Sequence, residues 1–312
     1  MDPYTRETQK YVDDRFNMTI DGVYYSHQPI YGYRNKYSST CHIARYIITK
    51  SILNALNKYR FSNLIDIGGA EGYTAYVIQK VFNVKVQITD FSRNACLRAS
   101  EIFGIQGTPG DIHHLPFRDN EFEVAICSET IEHVTDYKKA IQELLRITSK
   151  VLIITVPHET PEIVAKNVQK NILHGHIHYF DVNTLDYLKA NVRQLSYQKI
   201  LSPILIVPRV IAEAYKKPRT KLRFKLYNSF TPFFKKIFGQ GTAQKLVNTD
   251  NWFVKKFKKY NGITFIIEKC EIDSRESVSD IKASDFINIR VNEFFLNNPM
   301  QEDANMMRSS KI

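Results

Sequence analysis

Leu64-Ile-Asp-Ile-Gly-Gly-Ala-Glu-Gly-Tyr73 reads as an apolar strand that ends in an acid, turns through glycines and enters a helix. Gly68 and Gly72 can take backbone angles closed to other residues, and the helix that opens at Tyr73 presents unpaired N–H groups. A junction of this kind, at the carboxyl end of a strand, is where an α/β sheet receives a small polar ligand.

Outward from this turn, residues 63 to about 200 alternate short β-branched runs with segments of helical spacing, the pattern of βαβ units on a parallel sheet. Strands are expected at Asn63 to Ile67, Val84 to Thr89, Glu123 to Ser128 and Val151 to Val156, with a further one at Ile263 to Glu268. A helix should follow each of the first four. The one from Asp136 to Thr148 carries Tyr137, Ile141, Leu144 and Leu145 on one face. Ser92 and Asp181 stand where helix N-caps belong. Residues 1–62, which include Tyr24, Tyr25, Tyr31 and Tyr33 and a helical run from His42 to Tyr59, are read as a tyrosine-rich cover and helix. The core is assigned to 63–200, a basic aromatic insertion to 201–260, the last core strand to 261–270 and a polar extension to 271–312.

Charge is concentrated in the insertion. The chain of 312 residues has a net charge of +11, yet residues 201–260 alone hold fourteen Lys/Arg against two Asp/Glu. Cations alternate there with large apolar residues, as in Tyr227-Asn-Ser-Phe-Thr-Pro-Phe-Phe-Lys-Lys-Ile-Phe238 and Trp252-Phe-Val-Lys-Lys-Phe-Lys-Lys-Tyr260. A helix there would put Phe253, Phe257 and Tyr260 on one side, fit to lie on an anionic bilayer surface or to close over a pocket as a lid. A polyanionic partner such as RNA is the third reading. The longest apolar run, Ile200 to Ala212, contains two prolines and Arg209 and is too short to span a bilayer. The polar N-terminus lacks the apolar centre of a signal peptide. Cys41, Cys96, Cys127 and Cys270 have no paired spacing, which fits a reducing compartment. A cytoplasmic location, at most peripheral to the inner face of a membrane, is expected.

The turn does not fit a dinucleotide site, because Gly-x-Gly-x-x-Gly started at Gly68 puts Ala70 and Tyr73 on the second and third glycine positions. Its setting is different: Asp66 precedes it, Asp90 ends the next strand, where it could accept two hydrogen bonds from ribose hydroxyls, and Asp111 follows Gly110. Four stretches stand in order: Ile65-Asp-Ile-Gly-Gly-Ala-Glu-Gly72; Thr89-Asp-Phe-Ser92; Gly110-Asp-Ile-His-His-Leu-Pro-Phe117 with Phe122-Glu-Val-Ala-Ile-Cys-Ser-Glu-Thr-Ile-Glu-His133; and Val151-Leu-Ile-Ile-Thr-Val-Pro157. On these the chain, from about Leu64 to Pro157, resembles the class I S-adenosylmethionine-dependent methyltransferases, most closely the large group that includes the ubiquinone and menaquinone C-methyltransferases. The resemblance implies a doubly wound, Rossmann-like α/β fold with a mostly parallel seven-stranded sheet and an α-rich basic insertion before the last strand.

It also implies S-adenosylmethionine as cofactor, with Asp66, Gly68, Gly69 and Gly72 around its methionine end and Ser128 nearby. Asp90 would hold the ribose, Phe91 would pack on the adenine, Asp111 would accept from the adenine amino group, and Ile112 would donate its backbone N–H to a ring nitrogen. Ala70 stands where the family usually has its central glycine, and its methyl group narrows the closest backbone approach. Methyl transfer needs alignment and exclusion of water, and a base where the acceptor carries a proton. The candidates are Glu129, Glu132 and His133 after the fourth strand, and the cluster His174-Gly-His-Ile-His178. If extended, that cluster places His174, His176 and His178 on one face. Three such histidines could bind zinc, but neither a nearby cysteine nor a pattern of outer partners supports it, methyl transfer does not require a metal, and none is expected. His113 and His114 are read as exposed loop residues beside the adenine, and Cys127 as core. Cys127-Ser-Glu-Thr stands where adenine-methylating enzymes carry Asn/Asp-Pro-Pro-aromatic, so the expected acceptor is a small molecule or one linked to lipid or glycan. The contrasting expectation is a non-catalytic membrane- or RNA-binding adaptor on this fold. Oligomeric state is open.

Overall fold

The computed structural model describes residues 3–17, 19–20, 23–24, 39–203, 241–273 and 281. Tyr25, Tyr31, Tyr33 and the Tyr227–Phe238 stretch lie outside them, as does nearly all of 271–312. The described elements begin with α1 (Pro3–Asn17), a short antiparallel pair β1 (Thr19–Ile20) and β2 (Val23–Tyr24), and α2 (Ser39–Leu56). The core follows as β3 (Asn63–Ile67), α3 (Tyr73–Phe82), β4 (Lys85–Asp90), α4 (Arg93–Phe103), β5 (Gln106–Pro109), β6 (Phe122–Ser128), α5 (Tyr137–Ile147), β7 (Thr148–Pro157), α6 (Pro161–Gln169) and β8 (Gln194–Ile200). The last elements are α7 (Gly241–Phe257) and β9 (Gly262–Glu268).

Among the described residues seven strands form one sheet in the order β5-β4-β3-β6-β7-β9-β8. All neighbouring pairs from β5 to β7 are parallel, and β9 runs antiparallel to both β7 and β8. The fold is therefore the doubly wound, mostly parallel α/β sheet expected from the sequence. The order reverses between β3 and β6, and the crevice outside their carboxyl ends is the place where such sheets bind ligands.

Each face of the sheet has its own core, because alternate strand residues point to opposite sides. Leu64, Val86, Ile88, Val124, Ile126 and Ile153 pack under α2, α3 and α4 with Ile52, Leu56 and Val77. Ile65, Ala125, Leu152, Ile154, Phe265 and Ile267 pack against α5 through Ile141 and Leu144. The strand interiors are apolar on both faces, which is why their sequence lacks the alternation of a half-exposed sheet. Ile281 is buried in the first of these cores, so the segment after β9 returns to the body of the protein at that residue.

Two strands escape the sequence reading. β5 is four residues long and contains Gly107 and Pro109, and β8 mixes exposed and half-buried residues, with only Ile200 buried, at the opposite edge. Edge strands lack the apolar density that marks a sheet centre. Ser92 caps α4 as expected, its hydroxyl accepting from the Ala95 N–H at 3.2 Å, and Asp136 caps α5 through the Lys139 N–H at 3.0 Å. Asp181 caps no α-helix. It closes a turn with Thr184, and only a single 3-10 turn, Asp186–Leu188, follows. Helix α7 stops at Phe257, so Tyr260 leaves the helical face shared by Phe253 and Phe257 and stacks on His158 at 4.5 Å.

Candidate active site

The turn between β3 and α3 is built from left-handed residues. Gly68, Ala70 and Gly72 have φ of 69°, 48° and 79°. It is pinned from one side by the Thr89 carbonyl, which accepts from the Gly68 N–H at 2.8 Å and the Gly69 N–H at 3.2 Å. From the other side the Asp90 carboxylate accepts the Ala70 N–H at 2.9 Å and the Ser92 N–H at 2.8 Å. Asp90 thus ties the end of β4 to both the turn and the start of α4, with one backbone donor on each oxygen. Ala70 holds a conformation that costs an L-residue about 1–2 kcal/mol. Its methyl group is buried in a small cluster with Val12, Phe16 and Ala95, so the residue read as a narrowing of the turn also seats α1.

A pocket of about 1090 Å³, counted with its open mouth, lies outside the carboxyl ends of the strands. Ile67, Gly68, Ala70, Thr89, Asp90, Phe91, Gly110, Asp111 and Ile112 border it toward β3–β5, and Ser128, Glu129, Thr130, His133 and His174 border it toward β6. Asp66, Gly69 and Gly72, expected around the methionine end of a ligand, do not border it. Asp66 is buried beneath the turn, one of its oxygens without a hydrogen-bond partner. Burial, with the Asp90 charge nearby, pushes its carboxyl up to about 8. Burial also raises Asp90, to about 6, against the pull of its backbone donors.

The roof was not legible in the sequence. Thr5, Thr8, Val12, Arg15 and Phe16 of α1 and Arg45 of α2 line the same pocket. Asp13 takes the Ser92 hydroxyl and the Asn94 amide, and the Gln9 side chain donates to the Phe91 carbonyl, so α1 is clamped across the start of α4. The spacing Thr5, Thr8, Val12, Arg15 and Phe16 is one face of a helix, and that periodicity was the available signal. The sequence also points to the tyrosines that follow as a cover, and most of these lie outside the described residues.

Asp111 is engaged by its neighbour. Its Oδ1 accepts from the His113 backbone N–H at 2.9 Å and meets His113 Nδ1 at 2.7 Å. Partial burial would raise this carboxyl, but the His113 contacts win and hold it below its ordinary value. His113 is therefore a partner of Asp111 and not the exposed loop residue expected. His114 is bound by Lys139 Nζ at 2.8 Å.

On the β6 side, Glu129 has a left-handed backbone (φ 53°), and its carboxylate accepts from Thr155 Oγ1 at 3.3 Å. Burial raises its proton affinity, opposed by the charges of Arg45 and His176. Glu132 is wholly buried, and burial together with Glu129 pushes it up to about 8. Burial drives the His133 imidazole well below its ordinary value and keeps it neutral, helped by His174 and His176. The 174–178 stretch is not a strand, and His174 has φ 54°. His174 stacks on the His133 ring at 3.8 Å and His176 meets its edge at 4.8 Å. His178 does not join them: its Nε2 faces the Val134 carbonyl at 2.6 Å and its ring packs on Tyr137. The alternation expected of an extended segment fails because the chain turns at His174. His176 carries an ion pair to Glu159 at 3.0 Å; burial opposes its charge, but Glu159, Glu132 and Glu129 raise it to about 8. Cys127 is buried inside β6, as read from the sequence.

The residues present fit the cofactor implied by the sequence. A carboxylate with one backbone donor on each oxygen keeps lone pairs for two hydroxyls, Phe91 and Ile112 offer apolar surface, and Arg15 and Arg45 bring cations to a pocket otherwise edged by acids. Comparison with known proteins agrees over the same part of the chain. Residues 65–153 match the family described as methyltransferase domain. Norajmaline N-methyltransferase of Rauvolfia serpentina is 30% identical over 94 residues, which are 28% of this chain and 32% of that protein, so the chain spans about a third of the curated relative it matches. Among solved structures, phosphoethanolamine N-methyltransferase 2 of Haemonchus contortus in complex with S-adenosyl-L-methionine has a TM-score of 0.47 at 16% identity, over 76% of this chain and 59% of that one. The YcgJ protein of Bacillus subtilis has a TM-score of 0.43 at 15% identity, over 72% and 98%. Residues 65–153 are thus similar to a methyltransferase domain, in agreement with the resemblance read from the sequence.

Proposed function

We propose that this protein transfers the methyl group of S-adenosylmethionine to a small-molecule acceptor, or to one linked to lipid or glycan. The observation that carries the reading is one pocket edged on one side by Asp90, Phe91, Asp111 and Ile112 and on the other by Ser128, Glu129 and His133, with α1 above it. The bound cofactor supplies a methyl group on a positively charged sulfur. The chain has to align the acceptor and keep water out, and the apolar faces of Val12, Phe16 and Ile67 serve the second need.

In this reading Asp90 accepts the ribose hydroxyls, Phe91 and Ile112 flank the adenine, and Asp111, already turned to His113, orients the base edge. Arg45, close enough to act electrostatically on Asp66, Glu129 and Glu132, is assigned to the methionine carboxylate. Where the acceptor bears a proton, Glu129 or the neutral His133 takes it, since both border the pocket. His176 and His178 do not border it and are assigned no contact with the acceptor. Incubating the full chain with S-adenosylmethionine and metabolite or lipid extracts, with calorimetry of the cofactor alone beside it, tests the reading. One extract component should gain the mass of a methylene group; absence of cofactor affinity would overturn it.

One observation favours a peripheral membrane contact. On α7 Trp252 and Phe257 are about half exposed, and Lys256 Nζ lies over the Trp252 ring at 4.5 Å. No helix among the described residues is long and apolar enough to cross a membrane. We therefore assign this end of α7 to an anionic bilayer surface, where aromatic and lysine side chains act together. Flotation with phosphatidylserine vesicles should recover the protein at low salt and lose it as salt rises. Recovery unchanged by Trp252→Ala with Phe257→Ala would remove the assignment.

A further inference from the structure

Glu132, His133 and His176 come together behind the pocket in a way that methyl transfer does not require. Each offers a ligand atom, and these atoms lie within 4.8 Å of one another. The Glu132 carboxylate is wholly buried and neither oxygen has a hydrogen-bond partner; the neutral His133 imidazole faces it, with Nε2 at 3.7 Å from Oε1. A buried carboxylate with both oxygens unsatisfied is rare, and a bound cation is one of the few groups that satisfies it.

Both histidines are set as ligands. His133 Nδ1 faces the Gly175 carbonyl at 3.1 Å, which fixes the proton there and leaves the Nε2 lone pair on the Glu132 side. His176 Nδ1 meets Glu159 Oε2 at 3.0 Å, a carboxylate–histidine pair of the kind that orients metal-ligating imidazoles and leaves Nε2 to bind. The segment carrying His176 is fastened to the segment carrying Glu132 by the Ile177 N–H, which donates to the Glu132 carbonyl at 2.9 Å. It is further held by the Asn167 amide on the His176 carbonyl at 3.1 Å. Metal bonds of about 2.1 Å bring such ligand atoms somewhat closer than 4.8 Å, a small rotamer adjustment. His178, the third histidine of the sequence cluster, is committed elsewhere.

We propose that Glu132, His133 and His176 form a site for a first-row divalent transition cation. Two imidazoles and one carboxylate select Mn²⁺, Fe²⁺, Co²⁺ or Zn²⁺ over Mg²⁺ and Ca²⁺, which take all-oxygen sets. Of the three, His133 borders the pocket, so a cation held here would lie beside the acceptor through that residue. Only the role of the cation rests on the methyltransferase reading. With the cation in place His133 Nε2 is a ligand, and Glu129 is left as the proton acceptor.

The test uses the full chain, stripped with chelator and titrated with Co²⁺. Visible d–d bands of a nitrogen- and oxygen-ligated site should appear, Zn²⁺ should displace them, and Zn²⁺ but not Mg²⁺ should raise the melting temperature. Glu132→Gln and His176→Ala should each weaken Co²⁺ binding at least 10-fold, and Glu159→Gln about 10-fold. Absence of bands in the unaltered protein overturns the proposal, as does binding unchanged in both ligand variants; the first outcome is independent of how the variants fold. Cofactor calorimetry on the same samples separates the two readings. Lost S-adenosylmethionine affinity with retained Co²⁺ bands removes the methyltransferase reading alone, and the reverse removes the metal site alone.

Discussion

Replacing Asp90 by Asn is expected to weaken S-adenosylmethionine binding about 100-fold while leaving the melting temperature of the ligand-free protein unchanged or raised. Hydrogen bonds to a charged group contribute about 1.5–3 kcal/mol each, and loss of two at the lower figure is a factor of about 100 in the dissociation constant. The ligand-free protein responds differently because the charge is a burden there. Burial raises the Asp90 carboxyl to about 6, above its unfolded value, so stability falls as pH rises from about 4 to about 6 and the penalty is fully present at pH 7. Asparagine removes that penalty and keeps an acceptor for one of the two backbone donors, Ala70 N–H and Ser92 N–H. Cofactor affinity should show the opposite sense in pH, strong above about 6 and falling below it as the carboxylate protonates. Calorimetry across pH 5–8 with parallel thermal melts checks both halves. Affinity undiminished in Asp90→Asn would mean that Asp90 holds the turn and not the ligand.

Gly68→Ala is expected to destabilise the protein by about 2–5 kcal/mol, the largest effect of a single methyl group in this site. A Cβ at Gly68 would lie 2.2 Å from Thr130 Oγ1 and 2.9 Å from Thr130 Cβ, and Gly68 has φ +69°. The two penalties separate. The left-handed backbone costs about 1–2 kcal/mol wherever the side chain points, and the overlap with Thr130 adds about 1–3 kcal/mol. Thr130 cannot simply swing away, because its hydroxyl donates to the Ser128 carbonyl at 3.1 Å at the end of β6. Pairing Gly68→Ala with Thr130→Gly should recover the steric share and leave the backbone share. Thermal denaturation of the two single variants and the double variant measures this non-additivity; strictly additive losses would show that the turn yields without meeting Thr130.

Ala70, two residues on, makes the complementary point. The same left-handed region tolerates a methyl there because the space above it is filled by Val12 and Phe16 and not by a loop from β6. From the sequence alone Ala70 was a departure from the family pattern that narrowed the turn. In the fold it is also a contact for α1, and through Asp13 and Gln9 that helix reaches Ser92, Asn94 and Phe91. Helix α1 has few apolar residues, and the helical spacing of Thr5, Thr8, Val12, Arg15 and Phe16 marks one face without showing what that face covers; its docking shows it to be the roof.

The histidine cluster shows where reading by periodicity fails. Treating 174–178 as extended puts its three histidines on one face, but the turn at His174 breaks the alternation and splits them between the His133 ring and the Val134 carbonyl. Edge strands β5 and β8 were missed for a related reason: half of their surroundings is solvent, and their residues record little of the sheet.

The sequence by itself determined the central strands, the α/β class, the glycine turn and the acids at Asp66, Asp90 and Asp111. Each of these depends on neighbours within a few residues or on burial so complete that composition records it. Tertiary structure alone decided that Asp66 lies under the turn and not in the pocket, that α1 and Arg45 close the pocket, and that Glu132 and His133 meet His176 across the 42 residues between the two histidines. Those placements follow from long-range packing, in which the partner of a side chain is chosen by the path of the whole chain, and no local periodicity encodes that path.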